Sequence, residues 1–121
     1  MILMTQFIQY SKCGTCRKAA QWLAAHNIAV DSRDIITAPP TVDELTEWIA
    51  RSGKPVAKFF NTSGLLYKER NLKEVVKTAS SEELIRLLAS DGKLVKRPVL
   101  VSDDAVLVGF NEAEWDATLL K

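Results

Sequence analysis

Residues 3–35 read "LMTQFIQYSKCGTCRKAAQWLAAHNIAVDSRDI", and this stretch changes its pattern twice. "LMTQFIQY" (3–10) is short, apolar and β-prone, and reads as a strand. From Gly14 to His26 the apolar residues Ala19, Ala20, Trp22, Leu23 and Ala24 fall on one helical face, and Asn27 is a natural stop. "IAVDSRDI" (28–35) reads as a second strand. Strand, helix and strand in so short a span form a βαβ unit, which makes the two strands parallel.

Outward from that unit, "TAPPT" (37–41) breaks the pattern, because Pro39 and Pro40 continue neither a strand nor a helix interior. Thr41 and Glu44 have capping-box spacing ahead of Leu45, Trp48 and Ile49, and Ser52-Gly53-Lys54-Pro55 ends that helix. "AKFFNTSG" (57–64) reads as a helical turn and a loop at Asn61, Thr62, Ser63 and Gly64, and "NLKEVVKT" (71–78) as a short helix. "SEELIRLLA" (81–89) is an amphipathic helix with Gly92 just past its end. "RPVLVS" and "AVLVGF" flank a turn at Asp103-Asp104 and form a β-hairpin; Asn111 and Glu114 then cap a last helix that runs to about Leu120. The order βαβ, helices, ββα is that of a thioredoxin-like α/β fold: a four-stranded mixed sheet with helices on both faces and a helical insertion at about 41–92. The 121 residues suit a single domain over 1–121.

Bulk properties narrow the function. A chain of this size buries a real core without a disulfide staple. The net charge of +1 and the mixing of basic with acidic residues give no stripe for direct nucleic-acid binding. No apolar run reaches membrane-spanning length, and the N-terminus lacks the features of a signal peptide, so a cytoplasmic location is the expectation. In that compartment thiols stay reduced. A lone Cys pair is then a candidate for catalysis, redox sensing or metal binding.

That pair is Cys13 and Cys16, at the junction of strand and helix. Unpaired N–H groups and the helix dipole at such a position stabilise an anion, and Lys12, Arg17 and Lys18 add positive charge nearby. Surroundings of this kind lower a thiol pKa from about 8.5 to roughly 3.5–7.5. Cys16 stands three residues on, within reach of Cys13 on the first turn. Cys13 is thus the candidate nucleophile and Cys16 the thiol that resolves it. Gly14 opens the mouth of the site, and Thr15 offers a hydroxyl to a thiolate or oxyanion. Two other readings compete. Structural zinc needs four ligands, and beyond the two cysteines only His26 is available, about three turns away. Alternatively, both cysteines are small buried residues with no chemistry. His26 reads as a helix-end residue, Trp22, Trp48 and Trp115 as core, and Glu82-Glu83 as a helix first turn. Asn61–Gly64 either line a cleft above the thiols or form a simple turn.

With "CGTCRKA" (13–19), "FFNTSG" (59–64), "LLASDGKLVKRP" (87–98) and "VGFNEAEW" (108–115), nearly the whole chain resembles the arsenate reductase (ArsC)/Spx family. The likeness is to the ArsC-like branch that also carries names such as Spx/MgsR. It implies a thioredoxin-like fold with a helical insertion. It also implies Cys13 as nucleophile, Arg97 as the arginine that helps hold an oxyanion, and Pro98 as a cis proline facing the cysteine. A guanidinium suits an oxyanion because it offers paired donors and a permanent charge. Gly14, Thr15, Arg17 and Pro98 would complete a substrate-binding surface. Read without the resemblance, Arg97 is a solvated charge and Pro98 an ordinary first strand residue.

Two departures shape the expected function. Glutaredoxin-linked arsenate reductases carry Ser where this chain has Cys16, and rely on glutathione. Those enzymes also use further arginines, whereas "SDDAVLVGFNE" (102–112) has none and the middle segment "VAKFF" (56–60) offers only Lys58. The resemblance therefore implies a thiol-disulfide redox protein served by a thioredoxin- or glutaredoxin-type electron donor, with no cofactor and no metal. An Spx-like regulator that senses redox state and docks on the RNA polymerase alpha subunit is the alternative. Genuine arsenate reduction is a third reading.

Overall fold

Strand β1 is only Gln6–Gln9, and with β2 (Asp31–Asp34), β3 (Val99–Val101) and β4 (Val106–Val108) it forms a four-stranded sheet of order β2-β1-β3-β4. The computed structural model describes residues 5–120; the first part of the expected strand, Leu3 and Met4, lies outside them. Helix α1 (Gly14–Ala25) follows, and β2 (Asp31–Asp34) pairs with β1 in parallel, as the βαβ pattern requires. β2 is shorter than the expected 28–35. Asn27 turns the chain in the left-handed region at φ 56°, and Ile28 and Val30 pack into the core before ladder pairing begins. β3 (Val99–Val101) and β4 (Val106–Val108) form the hairpin, with β3 antiparallel to β1. Ser102 and Ala105 close its turn around exposed Asp103 and Asp104.

Register explains the core of this part. Phe7, Leu100 and Leu107 stand side by side across β1, β3 and β4. With Ala19, Trp22 and Leu23 of α1 and Trp115 of the last helix α6 (Glu112–Leu119), they make one buried cluster. Trp115 meets the rings of Trp22 and Phe110 edge to face, at 5.6 and 4.9 Å, and its Nε1–H donates to the Gly109 carbonyl at 3.1 Å. Asn111 caps α6 by accepting from the Glu114 N–H. This mixed sheet with its helices is the thioredoxin-like arrangement read from the sequence.

The chain divides into two compact units, 5–34 with 97–120 and Ile35–Lys96. The second is helical: α2 (Val42–Ser52), a 3₁₀ turn (Val56–Phe59), α3 (Leu65–Glu69), α4 (Leu72–Thr78), α5 (Ser81–Ser90) and a second 3₁₀ turn (Gly92–Leu94). Both halves of the capping box at Thr41 and Glu44 are formed, and Gly53 ends α2 in the left-handed conformation at φ 70°. Leu45, Trp48, Ile49, Phe59, Phe60, Leu84 and Leu88 are buried here. A bridge between Phe60 and Val95, with Lys96 N–H donating to the Phe59 carbonyl at 2.7 Å, closes the unit on itself.

Gly92 lies just past the end of α5, as expected: Asp91 is the C-cap, and glycine is required at 92 because a Cβ there would run into the Ile35 carbonyl. Helix α3 carries no pattern that predicts it: it has five residues, no side-chain cap, and a Leu65 that is 77% exposed. Asn61 to Gly64 form a turn, held by the Asn61 N–H on the Leu94 carbonyl and the Gly64 N–H on the Asn61 carbonyl.

Candidate functional site

Cys13 is the N-cap of α1, in extended conformation at φ −98° and ψ 121°. Its own N–H donates to the Tyr10 carbonyl at 3.0 Å, which fixes the turn out of β1. Its sulfur accepts from the Cys16 backbone N–H at 3.4 Å, the role usually filled by a Ser, Thr or Asp oxygen. The first turn of α1 holds no acidic residue to oppose a negative charge there. Cys16 begins the buried face of the helix, which continues through Ala19, Trp22 and Leu23, and it is 1% exposed. Cys13 is half-buried, and both thiols are free.

Arg97 reaches this pair from the start of the hairpin. Its side chain favours the charged form of Cys13, and its guanidinium carbon lies 4.9 Å from the centre of the Tyr10 ring. The Arg97–Pro98 peptide is cis, and Pro98 is buried at the edge of β3, where its carbonyl accepts from the Gly109 N–H at 2.8 Å.

These contacts split the two thiols electrostatically. Burial opposes ionisation of Cys13. Hydrogen bonds from the Cys16 thiol and backbone and from Arg97, together with the Arg97 charge, outweigh it and hold Cys13 below its ordinary value. Cys16 is pushed up to about 12, chiefly by burial; a hydrogen bond to the Tyr10 backbone is the next largest influence and pulls down, the hydrogen bond to Cys13 and the Cys13 charge push up, and the Arg97 charge pulls down least. One thiol thus ionises more readily than an ordinary cysteine and its neighbour less readily.

Of the residues singled out in the sequence, Cys13 and Cys16 are joined by a hydrogen bond, the Arg97 charge acts on both thiols, and Pro98 follows Arg97. Gly14, Thr15 and Arg17 stand exposed on the first turn, and a Cβ at Gly14 would meet nothing within 4 Å. Among the described residues no hydrogen bond joins Thr15 or Arg17 to the thiols. The cation that acts on Cys13 is therefore the distant Arg97 and not its chain neighbours Lys12, Arg17 and Lys18, which are exposed. Tyr10 was missed. Its only signal in the sequence is its place at the end of the strand, three residues before Cys13.

His26 is the exposed C-cap of α1, with Nδ1 2.8 Å from the Trp22 carbonyl and its ring over Trp22. Trp22, Trp48 and Trp115 are all buried, as read. Among the described residues no group of three or more His, Cys, Asp or Glu is placed to hold a metal ion. No helix among them is long and apolar enough to cross a membrane.

Comparison with known proteins places this geometry in context. The model of the ArsC family matches residues 8–118. YusI of Bacillus subtilis is 46% identical over 110 residues, covering 91% of this chain and 93% of its own. The regulatory protein MgsR of Bacillus subtilis is 30% identical over 108 residues, covering 89% of this chain and 84% of its own. The crystal structure of an ArsC-family-related protein from Bacteroides fragilis is 50% identical, with a TM-score of 0.93, and covers 98% of this chain and 99% of that one. Streptococcal Spx regulators and the crystal structure of "a possible arsenate reductase" from Streptococcus mutans are also among the similar proteins.

Proposed function

Because the chain belongs to the ArsC family, we propose that it is a thiol-disulfide oxidoreductase in which Cys13 attacks and Cys16 resolves. The observation that carries this reading is the Cys13 sulfur at the N-terminus of α1, held by the Cys16 N–H and by Arg97. The Cys13 thiolate displaces one sulfur of a substrate disulfide, giving a mixed disulfide and a released thiolate. Cys13 is then neutral. Its charge no longer opposes ionisation of Cys16, so the resolving thiol becomes easier to deprotonate at the step that needs it. The Cys16 thiolate attacks the Cys13 sulfur, forms the internal disulfide and releases the second substrate thiol. Two electrons have passed to the substrate. A thioredoxin- or glutaredoxin-type dithiol returns two electrons and two protons. Arg97 orients an anionic substrate or partner beside the sulfur.

The test treats the reduced protein with a small disulfide and follows its mass. The expected product is a Cys13–Cys16 disulfide, reversed by thioredoxin or glutaredoxin. Cys16→Ser should stop at a mixed disulfide on Cys13, and Cys13→Ser should not react. Absence of the internal disulfide in the unmodified protein overturns the reading. An arsenate arm in the same coupled assay decides whether an oxyanion also serves as oxidant, with Arg97→Ala as its control.

The similarity to MgsR favours a second reading: a regulator whose thiol state controls docking on the RNA polymerase alpha subunit. A pull-down with the alpha C-terminal domain, with and without reductant, tests it. Equal binding, or none, in both states removes it.

A further inference from the structure

Tyr10 touches every part of the thiol site. Its carbonyl accepts from the Cys13 N–H at 3.0 Å, its backbone acts on the Cys16 thiol, and its ring lies 4.9 Å from the guanidinium carbon of Arg97. The backbone contacts belong to any residue at this position. The ring contact belongs to an aromatic one.

We propose that Tyr10 is a positioning residue whose ring carries the Arg97 guanidinium against the Cys13 sulfur. This rests on the reading of Cys13 as the nucleophile. The physics is specific to the pair. A guanidinium binds an aromatic face through its own flat face and donates hydrogen bonds in its plane, so stacking on Tyr10 uses none of the donors that Cys13 needs. A free arginine at the surface samples many rotamers. Arg97 is the cation acting on Cys13, so the fraction of time it spends beside the sulfur sets how much it stabilises the thiolate. Tyr10 is thus the platform that makes one arginine effective.

The phenol oxygen plays no part in this account, so the ring and the hydroxyl make different predictions. Iodoacetamide labelling of Cys13 is followed against pH by peptide mass spectrometry in the unmodified protein, Tyr10→Phe, Tyr10→Leu, Tyr10→Met, Arg97→Ala and Tyr10→Leu with Arg97→Ala. Circular dichroism checks folding, and two aliphatic variants are made so that one fold failure does not end the test. On the acid side of the profile, loss of the ring should slow Cys13 labelling by about two- to fivefold, the equilibrium equivalent of an exposed cation–aromatic contact. Tyr10→Phe should match the unmodified protein. In the Arg97→Ala background, loss of the ring should add nothing. The inference is overturned if the aliphatic variants label like the unmodified protein. It is overturned equally if Tyr10→Phe is as slow as they are, or if their effect persists without Arg97. If Cys13 of the unmodified protein itself titrates as an ordinary thiol, the nucleophile reading falls first and takes this inference with it.

Discussion

Cys16 should be almost inert to alkylation in the folded protein, and the size of the effect follows from its surroundings. Its pKa rises from an ordinary 9.0 to about 12, which lowers its thiolate fraction by about a thousandfold at any pH below the ordinary value. At about pH 8 an ordinary thiol of this kind is roughly one-tenth ionised, and Cys16 only about one part in ten thousand. Because the thiolate is the nucleophile, the labelling rate falls with it, offset in part by the greater nucleophilicity of a higher-pKa thiolate, and its 1% exposure slows it further. The assay is time-resolved iodoacetamide labelling with mass spectrometry of the two cysteine peptides, run on folded protein and on protein unfolded in urea. Cys13 should label first in the folded protein. Cys16 should label at least about thirtyfold faster once unfolded. Cys13→Ser should speed Cys16 labelling in the folded state, because the neighbouring charge is gone. It should not restore the unfolded rate, because burial is the largest cause of the shift. A folded-state rate for Cys16 within tenfold of the unfolded rate would refute the reasoning.

Three further outcomes are expected. Arg97→Ala removes both a hydrogen bond and a charge from the Cys13 thiolate, so the pH midpoint of Cys13 labelling should move up toward the ordinary thiol range; an unchanged midpoint sinks the assignment. Alkali should destabilise the fold through Cys16, whose raised folded-state pKa contributes stability that is complete below 9.0 and is lost as the pH rises toward about 12. Urea midpoints in reductant should therefore fall more steeply over that range in the unmodified protein than in Cys16→Ala, and equal slopes count against it. Trp115→Phe deletes the indole hydrogen bond to the Gly109 carbonyl and should cost about 1–3 kcal/mol in urea unfolding, and Trp115→Ala about 3–5 kcal/mol. A loss below 1 kcal/mol for the alanine variant would contradict the packing described.

The sequence exposes those parts of this fold whose causes are local. Thr41 and Glu44 announce α2 because a capping box acts within one turn, and Asn27 announces the end of α1 because its side chain tolerates positive φ. The apolar hairpin at 99–108 is legible because every residue of β3 and β4 is buried. Helix α3 was not legible, since Leu65 points its apolar side chain to solvent and leaves no periodic face to read. The place of Gly92 past α5 was legible but its cause was not: the carbonyl that excludes a side chain there belongs to Ile35, far along the chain. The thiol site divides along the same line. The helix start behind Cys13 is local and was found. Arg97 came from the resemblance, and its aromatic platform on Tyr10 needed the fold to bring strand end and hairpin start together.

The opposite behaviour of the two thiols arises within a single turn of helix. Cys13 lies just outside α1, where its sulfur receives the unpaired N–H that every helix leaves at its start. Cys16, three residues on, is the first member of the stripe that buries Ala19, Trp22 and Leu23, so the same helix that stabilises one anion removes water from the other. The N–H that serves Cys13 is a backbone group, and no substitution at position 16 other than proline deletes it. Cys16→Ser replaces the thiol donor, the largest of the contacts that lower Cys13, by a hydroxyl that also donates, and keeps the backbone bond and Arg97, so Cys13 should stay activated. What it loses is the internal partner. Activation of the nucleophile and its intramolecular resolution are thus separable properties of this motif: the first needs a donor at position 16 beside the backbone N–H and Arg97, the second needs a sulfur there.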